Sequence, residues 1–252
     1  MNKREYFSVR TGKIKPTEII DLKVLKKLFL LVYKKFGKDG YFHKYFGYYC
    51  VDQGEVTGQL GYDLKDVMFI HLKKENLFPI TSEIENYSED DLFDVIEFLH
   101  DYCSKGIDGY FHQHNGCGYH YEEFNDKEGR HYYREQINPI LKDYSYGFEL
   151  SADGEILQLA DSGLSYLFQA DVPAADTENI VNKINNAVLK FRRHKSTMDE
   201  RQDSIRELVD VLEYLRPKAK ELLESKDEKD LLISQITMES VITINNRKAN
   251  MM

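Results

Sequence analysis

The stretch DTENIVNKINNAVLKFRRHKSTMDERQDSIRELVDVLEYLRPKAKELLESKDEKD, Asp176 to Asp230, reads as two or three amphipathic helices in succession. Asp176 or Thr177 supplies an N-cap, and Ile180, Ile184, Ala187, Val188 and Phe191 follow at the spacing of one helical face. That helix ends in a basic cluster, Lys190, Arg192, Arg193, His194 and Lys195. Ser196 and Asp199 form a capping-box pattern, after which Ile205, Leu208, Val209, Leu212 and Leu215 line one stripe. Pro217 has no N–H to donate and crowds the preceding turn, so the helix is expected to bend or restart there.

The residues after this stretch have a different character. Leu231 to Ile244, LLISQITMESVITI, fit neither helical spacing nor clean alternation, and a β-branched run directly after a helical bundle breaks the agreement between local and global signals. The preceding segment from Ile205 to Asp230 resembles the C-terminal part of abortive-infection-like bacterial proteins whose last domain is of the HEPN type. Tyr6–Lys13 (YFSVRTGK), Phe46–Asp52 (FGYYCVD), Tyr87–Lys105 and Phe148–Ile156 are similar to further blocks of that family. The resemblance implies that the helix continues past Asp230 into an Arg-His-His segment. Restoring one T after Leu231 lets the other reading frame give FNIANNYGIRHHNKQQKSKYD, which predicts a one-base frameshift near Leu232 and an out-of-frame tail over 231–252.

In the family so resembled, an Arg, polar residues and a His at a helix interface cleave RNA without a metal or other cofactor. Arg holds the scissile phosphate, and His moves a proton to or from the ribose hydroxyl or the leaving oxygen. In this chain Val241, Ile242 and Thr243 occupy the aligned positions, and none of them does acid–base work. No catalytic residue carries over. The resemblance also implies homodimerisation of intact relatives and RNA as a partner, with Lys190, Arg192, Arg193 and Lys195 as phosphate contacts. Helix physics gives those cations a plainer role, complementing the negative end of the helix dipole.

Length and composition agree with a soluble two-domain protein. The 252 residues are 42% hydrophobic and 13% aromatic, enough for a sizeable core. A formal charge of -9 argues against a surface that coats nucleic acid generally. Three cysteines and no secretory segment point to the reducing cytoplasm, and the longest apolar run, around Leu28 to Tyr33, is too short and too Lys-flanked to span a bilayer. The expected domains are 1–175, a mostly helical family-specific domain with a small β-hairpin; 176–230, an incomplete HEPN-type helical bundle; and the tail. The fold class is mainly α, with α+β character from the hairpin.

Along the first domain, Met1 to Pro16 reads as an extended arm. Asp21 to Phe36 is a helix with Leu25, Leu28, Phe29, Val32 and Phe36 inward, stopped by Gly37. The aromatic run from Tyr41 to Val51 reads as core packing rather than a base-stacking platform. Gly54 to Gly61 is a loop, and Leu64 to Lys74 a helix. Ser88 and Asp91 open a helix with Leu92, Val95, Ile96, Leu99 and Cys103 buried. Asp126 to Tyr144 is a helix interrupted near Pro139, Phe148 to Leu159 a hairpin around Asp153-Gly154, and Ser162 to Ala175 a domain boundary.

Metal chemistry has one place to sit: His112, His114, Cys117 and His120, with His131 further on. Zinc takes imidazole and thiolate together, but structural sites show paired ligands at short spacings and no second cysteine lies beside Cys117. Asn115-Gly116-Cys117-Gly118 reads more readily as a tight turn with its His and Tyr neighbours bonding locally. Two function classes therefore stand: an antiphage HEPN-type protein, catalytically inactive in this chain, or a non-catalytic binding or interaction module.

Overall fold

The computed structural model describes residues 6–12, 19–159, 180–193 and 195–222, and the chain divides into two compact units, Met1–Ile156 and Leu157–Met252. The described residues are mostly helical with small antiparallel strand pairs, the mainly α (α+β) class that the helical spacing predicts. Among them no helix is long and apolar enough to cross a membrane. The expected boundary at Ser162–Ala175, the N-cap at Asp176 or Thr177 and the tail from Leu231 lie outside the described residues.

In the first unit, α1 (Phe7–Arg10) is a helical turn where an extended arm was expected, closed by the Thr11 hydroxyl donating to the Phe7 carbonyl. α2 (Leu22–Lys38) starts at Asp21, whose side chain accepts from the Val24 N–H. It buries Leu25, Phe29 and Phe36 while Leu28 and Val32 are half-buried, and it runs through Gly37 to end at Asp39. α3 (His43–Phe46) leads into β1 (Tyr48–Cys50) and β2 (Gly54–Val56), an antiparallel pair in the register Tyr48↔Val56 and Cys50↔Gly54. The expected loop thus begins with a strand.

α4 (Leu64–Leu72) and α5 (Ile80–Glu83) precede α6 (Glu89–Asp101), which opens with the expected reciprocal cap. The Ser88 hydroxyl accepts from the Asp91 N–H and the Asp91 carboxylate accepts from the Ser88 N–H. Its inward face, Leu92, Val95, Ile96 and Leu99 with Cys103 just beyond, is fully buried, as the spacing predicts. β3 (Lys105–His112) and β4 (Gly118–Asn125) then form the longest hairpin among the described residues, where only a tight turn was expected.

α7 (Asp126–Lys142) is capped by Asn125 and continues through Pro139 without interruption. Asn138, beside the proline, accepts from the Leu150 N–H at 2.7 Å and donates to the Leu150 carbonyl at 3.2 Å, tying the helix to its neighbour where Pro139 gives up a bond. That neighbour is β5 (Phe148–Leu150), paired with β6 (Ile156–Gln158) in the hairpin expected around Asp153-Gly154.

The core of this unit lies among α2, α6 and α7. The Phe36 ring meets Tyr133 edge-on at 5.2 Å and stacks on Tyr132 at 5.4 Å, while the buried Tyr133 hydroxyl donates to the Ile96 carbonyl. The aromatic run divides between core and surface: Phe42 is buried and Tyr41 and Phe46 pack on the core, but Tyr49 is exposed.

In the second unit, α8 (Asn182–Arg192) and α9 (Met198–Leu222) pack against each other. Thr197 and Glu200, not Ser196 and Asp199, form the capping pair, and the Ser196 hydroxyl donates to the Lys190 carbonyl. α9 buries Gln202, Ser204, Val209 and Val211, whereas Ile205, Leu208, Leu212 and Leu215 are half-buried, so its inner face is turned from the expected stripe. Pro217 lies within α9 and does not end it; one missing bond is small beside the others of a 25-residue helix.

Candidate metal centre

The β3–β4 hairpin aims its polar side chains by strand alternation. Tyr110 and His112 are two residues apart on β3 and share a face, and Tyr110 stands directly across the ladder from His120. The register shifts on either side of Asp108, and the strands approach so closely at Gly109 that a Cβ there would lie 2.0 Å from the His120 carbonyl oxygen. The turn between the strands places Asn115 at φ 48° and brings Cys117 back, its N–H bonded to the His114 carbonyl. The tight turn and the ligand cluster, which compete in the sequence, are the same structure.

β1 supplies the fourth group. Cys50 ends that strand on the side facing the hairpin, with Sγ 3.7 Å from His112 Nδ1. Cys117 Sγ lies 3.1 Å from His120 Nε2. Cys50, His112, Cys117 and His120 each turn one donor atom inward, and all four atoms lie within 4.8 Å of one another. Cys50 and His120 are 1% and 2% exposed, while His112, its side chain 21% exposed, and Cys117 are half-buried.

Both imidazoles have their second nitrogen occupied. His120 Nδ1 lies 3.1 Å from the Tyr110 hydroxyl, and His112 Nε2 lies 3.0 Å from Asp52 Oδ2. Asp52 Oδ1 meets His114 Nδ1 at 2.9 Å. The His114 hydrogen bond, with help from His112, holds the Asp52 carboxyl below the usual carboxylate range. Tyr48 packs over His120 at 4.6 Å and against His43 at 5.0 Å, and burial, then the neighbouring His120, lowers the His43 pKa.

The arrangement fits a tetrahedral cation. Zinc bonds of about 2.3 Å to thiolate and about 2.0 Å to imidazole place adjacent donors roughly 3.3–3.8 Å apart. Of the observed thiol–imidazole pairs, the one at 3.7 Å lies inside that range and the one at 3.1 Å just below it. Two soft thiolates with two imidazoles select zinc over calcium or magnesium, which take oxygen.

The sequence-predicted set is therefore changed by one member. His112, Cys117 and His120 come together, while His114 turns outward to Asp52, its side chain 59% exposed. His131 is elsewhere, paired with Glu135 on α7. Cys50 is the residue that spacing arguments miss; the signal for it was the short block FGYYCVD, which holds both Cys50 and Asp52. Cys103, the remaining cysteine, is buried against the Gly129 carbonyl with its thiol pKa pushed up by burial, and is inert.

The basic cluster is partly used within its own unit. Lys190 pairs with Glu207, Arg192 Nε donates to the Gln158 carbonyl at 3.1 Å, and Arg193 closes the α8 end through its N–H to the Leu189 carbonyl. Lys195, at φ 58°, turns the chain toward α9. Comparison with protein-family models, with curated proteins and with solved structures finds no match.

Proposed function

We propose that this chain is a zinc-stapled binding or interaction protein without nuclease activity of its own, the metal closing the β1–β2 and β3–β4 hairpins of its first unit onto each other. The observation that carries this reading is the convergence of Cys50, His112, Cys117 and His120 on one point from two hairpins distant in sequence. Four protein donors complete a tetrahedral shell and leave no position for water or substrate, which is the pattern of structural rather than catalytic zinc. An antiphage role for the chain rests on its resemblance to abortive-infection-like proteins, and the absence of an Arg-His-His segment from the sequence favours binding over cleavage.

The full-length chain is expected to hold one zinc per molecule by elemental analysis. Cobalt in its place should give thiolate charge-transfer and tetrahedral d–d bands, and Cys50→Ser should lose both. A chain that binds neither metal at micromolar concentration sinks the reading. The 3.1 Å contact between Cys117 and His120 also suits a thiolate–imidazole nucleophile. Rapid alkylation of Cys117 in zinc-saturated protein would favour that second reading; protection by zinc is expected instead.

A further inference from the structure

The two imidazoles of the cluster differ in what stands behind them. His120 has a neutral hydroxyl, Tyr110, at its outer nitrogen; His112 has a carboxylate. That carboxylate belongs to Asp52, two residues past Cys50 in the turn between β1 and β2, so one short hairpin delivers a thiol donor and a carboxylate to the same cluster. Asp52 spends one oxygen on each of two histidines, Oδ2 on His112 Nε2 at 3.0 Å and Oδ1 on His114 Nδ1 at 2.9 Å.

We infer that Asp52 is a positioning residue of this metal site: it holds the proton of His112 on Nε2 and thereby presents the Nδ1 lone pair to the cation beside Cys50. The inference rests on the metal reading above. Its physical basis is the inventory of the imidazole. An ionised carboxylate only accepts, so His112 must donate from Nε2 to satisfy it, and a neutral ring that donates from Nε2 carries its lone pair on Nδ1. Nδ1 is the atom that faces Cys50 Sγ. A carboxylate behind a metal-bound imidazole fixes ring orientation and raises its basicity, and loss of such a partner costs about 10- to 100-fold in metal affinity. His114 meets the other oxygen of the carboxylate, so its removal takes away no atom of the Asp52–His112 contact.

Asp52, His112 and His114 also lie close enough to hold a cation of their own. That role would require the His112 Nε2 proton to leave, which places the two arrangements in competition and makes stoichiometry decisive.

The test compares full-length wild type, Asp52→Asn, His114→Ala and Cys50→Ser by zinc titration against a chromophoric chelator. Asp52→Asn is expected to bind one zinc about 10- to 100-fold more weakly, with the thiolate–cobalt band retained, and His114→Ala to lose less. Long-range ¹H–¹⁵N spectra of the imidazoles provide a readout that general loosening would not mimic: His112 should be protonated on Nε2 in wild type and redistribute toward the other tautomer in Asp52→Asn. Affinity within twofold of wild type together with an unchanged tautomer overturns the inference while leaving the zinc site standing. Two metals in wild type and one in Asp52→Asn overturn it by making Asp52 a ligand. A wild type that titrates no differently from Cys50→Ser overturns the zinc reading itself, and the inference with it.

Discussion

Asp91 illustrates how one carboxylate serves a helix end and a neighbouring chain segment together. Burial alone raises its pKa, but the hydrogen bonds from Lys74 and from the Ser88 hydroxyl and N–H outweigh that and take it down to about 2. A carboxyl depressed in the folded state stabilises above its unfolded pKa and loses that contribution as pH falls through the folded one. Urea unfolding should therefore show Asp91→Asn less stable than wild type at pH 7, with the gap closing between about pH 4 and about pH 2. A gap that stays constant across that range would assign the effect to packing. Gly129 poses the opposite kind of constraint, steric rather than electrostatic. It faces the start of β3, and a Cβ there would sit 2.6 Å from the Lys105 nitrogen and from the Ser104 Cα, both backbone atoms that no rotamer change can move. Ala is the better helix former, yet Gly129→Ala is expected to destabilise by roughly 1–3 kcal/mol through overpacking. A stabilised variant in the same unfolding measurement would show that α7 is free to shift.

At the scale of elements, α6 was legible because its start and its buried face are both local. Ser88 and Asp91 are three residues apart, and Leu92, Val95, Ile96 and Leu99 fall on one helical stripe. The β3–β4 hairpin was not legible. Lys105–His112 carries two glycines and a bulge, its exposure does not alternate cleanly, and its turn is longer than the two-residue signal that marks hairpins. Three of the candidate donors were visible at short spacing, but Cys50 joins them only because β1 folds onto that hairpin from 62 residues away. The start of α9 was misread by one residue. Ser196 and Asp199 match the capping pattern as well as Thr197 and Glu200 do, and local pattern does not tell the two apart; in the fold Thr197 caps while Ser196 donates to the Lys190 carbonyl. Thr197→Ala should accordingly cost about 1 kcal/mol of helix stability and Asp199→Ala much less. Circular dichroism during thermal unfolding measures both, and equal losses would return the cap to Ser196.

For the whole molecule, the candidate metal cluster joins parts that the hydrophobic core does not. The buried cluster of the first unit is built on α2, α6 and α7, and most of β3 and β4 lies at its margin, with Ile107, Tyr110 and Phe111 exposed. Each hairpin is a two-stranded sheet, which is marginal in water without a partner. Zinc bound by Cys50 on one hairpin and by His112, Cys117 and His120 of the other would supply that partner, since binding energy for a site that exists only in the folded state becomes folding energy. The second unit buries its own residues, among them Ile180, Ala187, Val209 and Val211, and none of its described residues is a donor in the cluster. Chelation should thus act on one region. Hydrogen exchange before and after zinc removal is expected to show faster exchange across Tyr48–Val56 and Lys105–Asn125, a smaller change in α6 and α7, and none in α8 and α9. Readdition of zinc should restore protection in wild type but not in Cys50→Ser. Uniform loosening of both units would mean that the metal holds the chain together more broadly than four side chains on two hairpins explain. No change in either hairpin would mean that β1–β2 and β3–β4 are held by Tyr48, His43 and His120 packing alone, and the zinc would then be a ligand the fold carries rather than one it depends on.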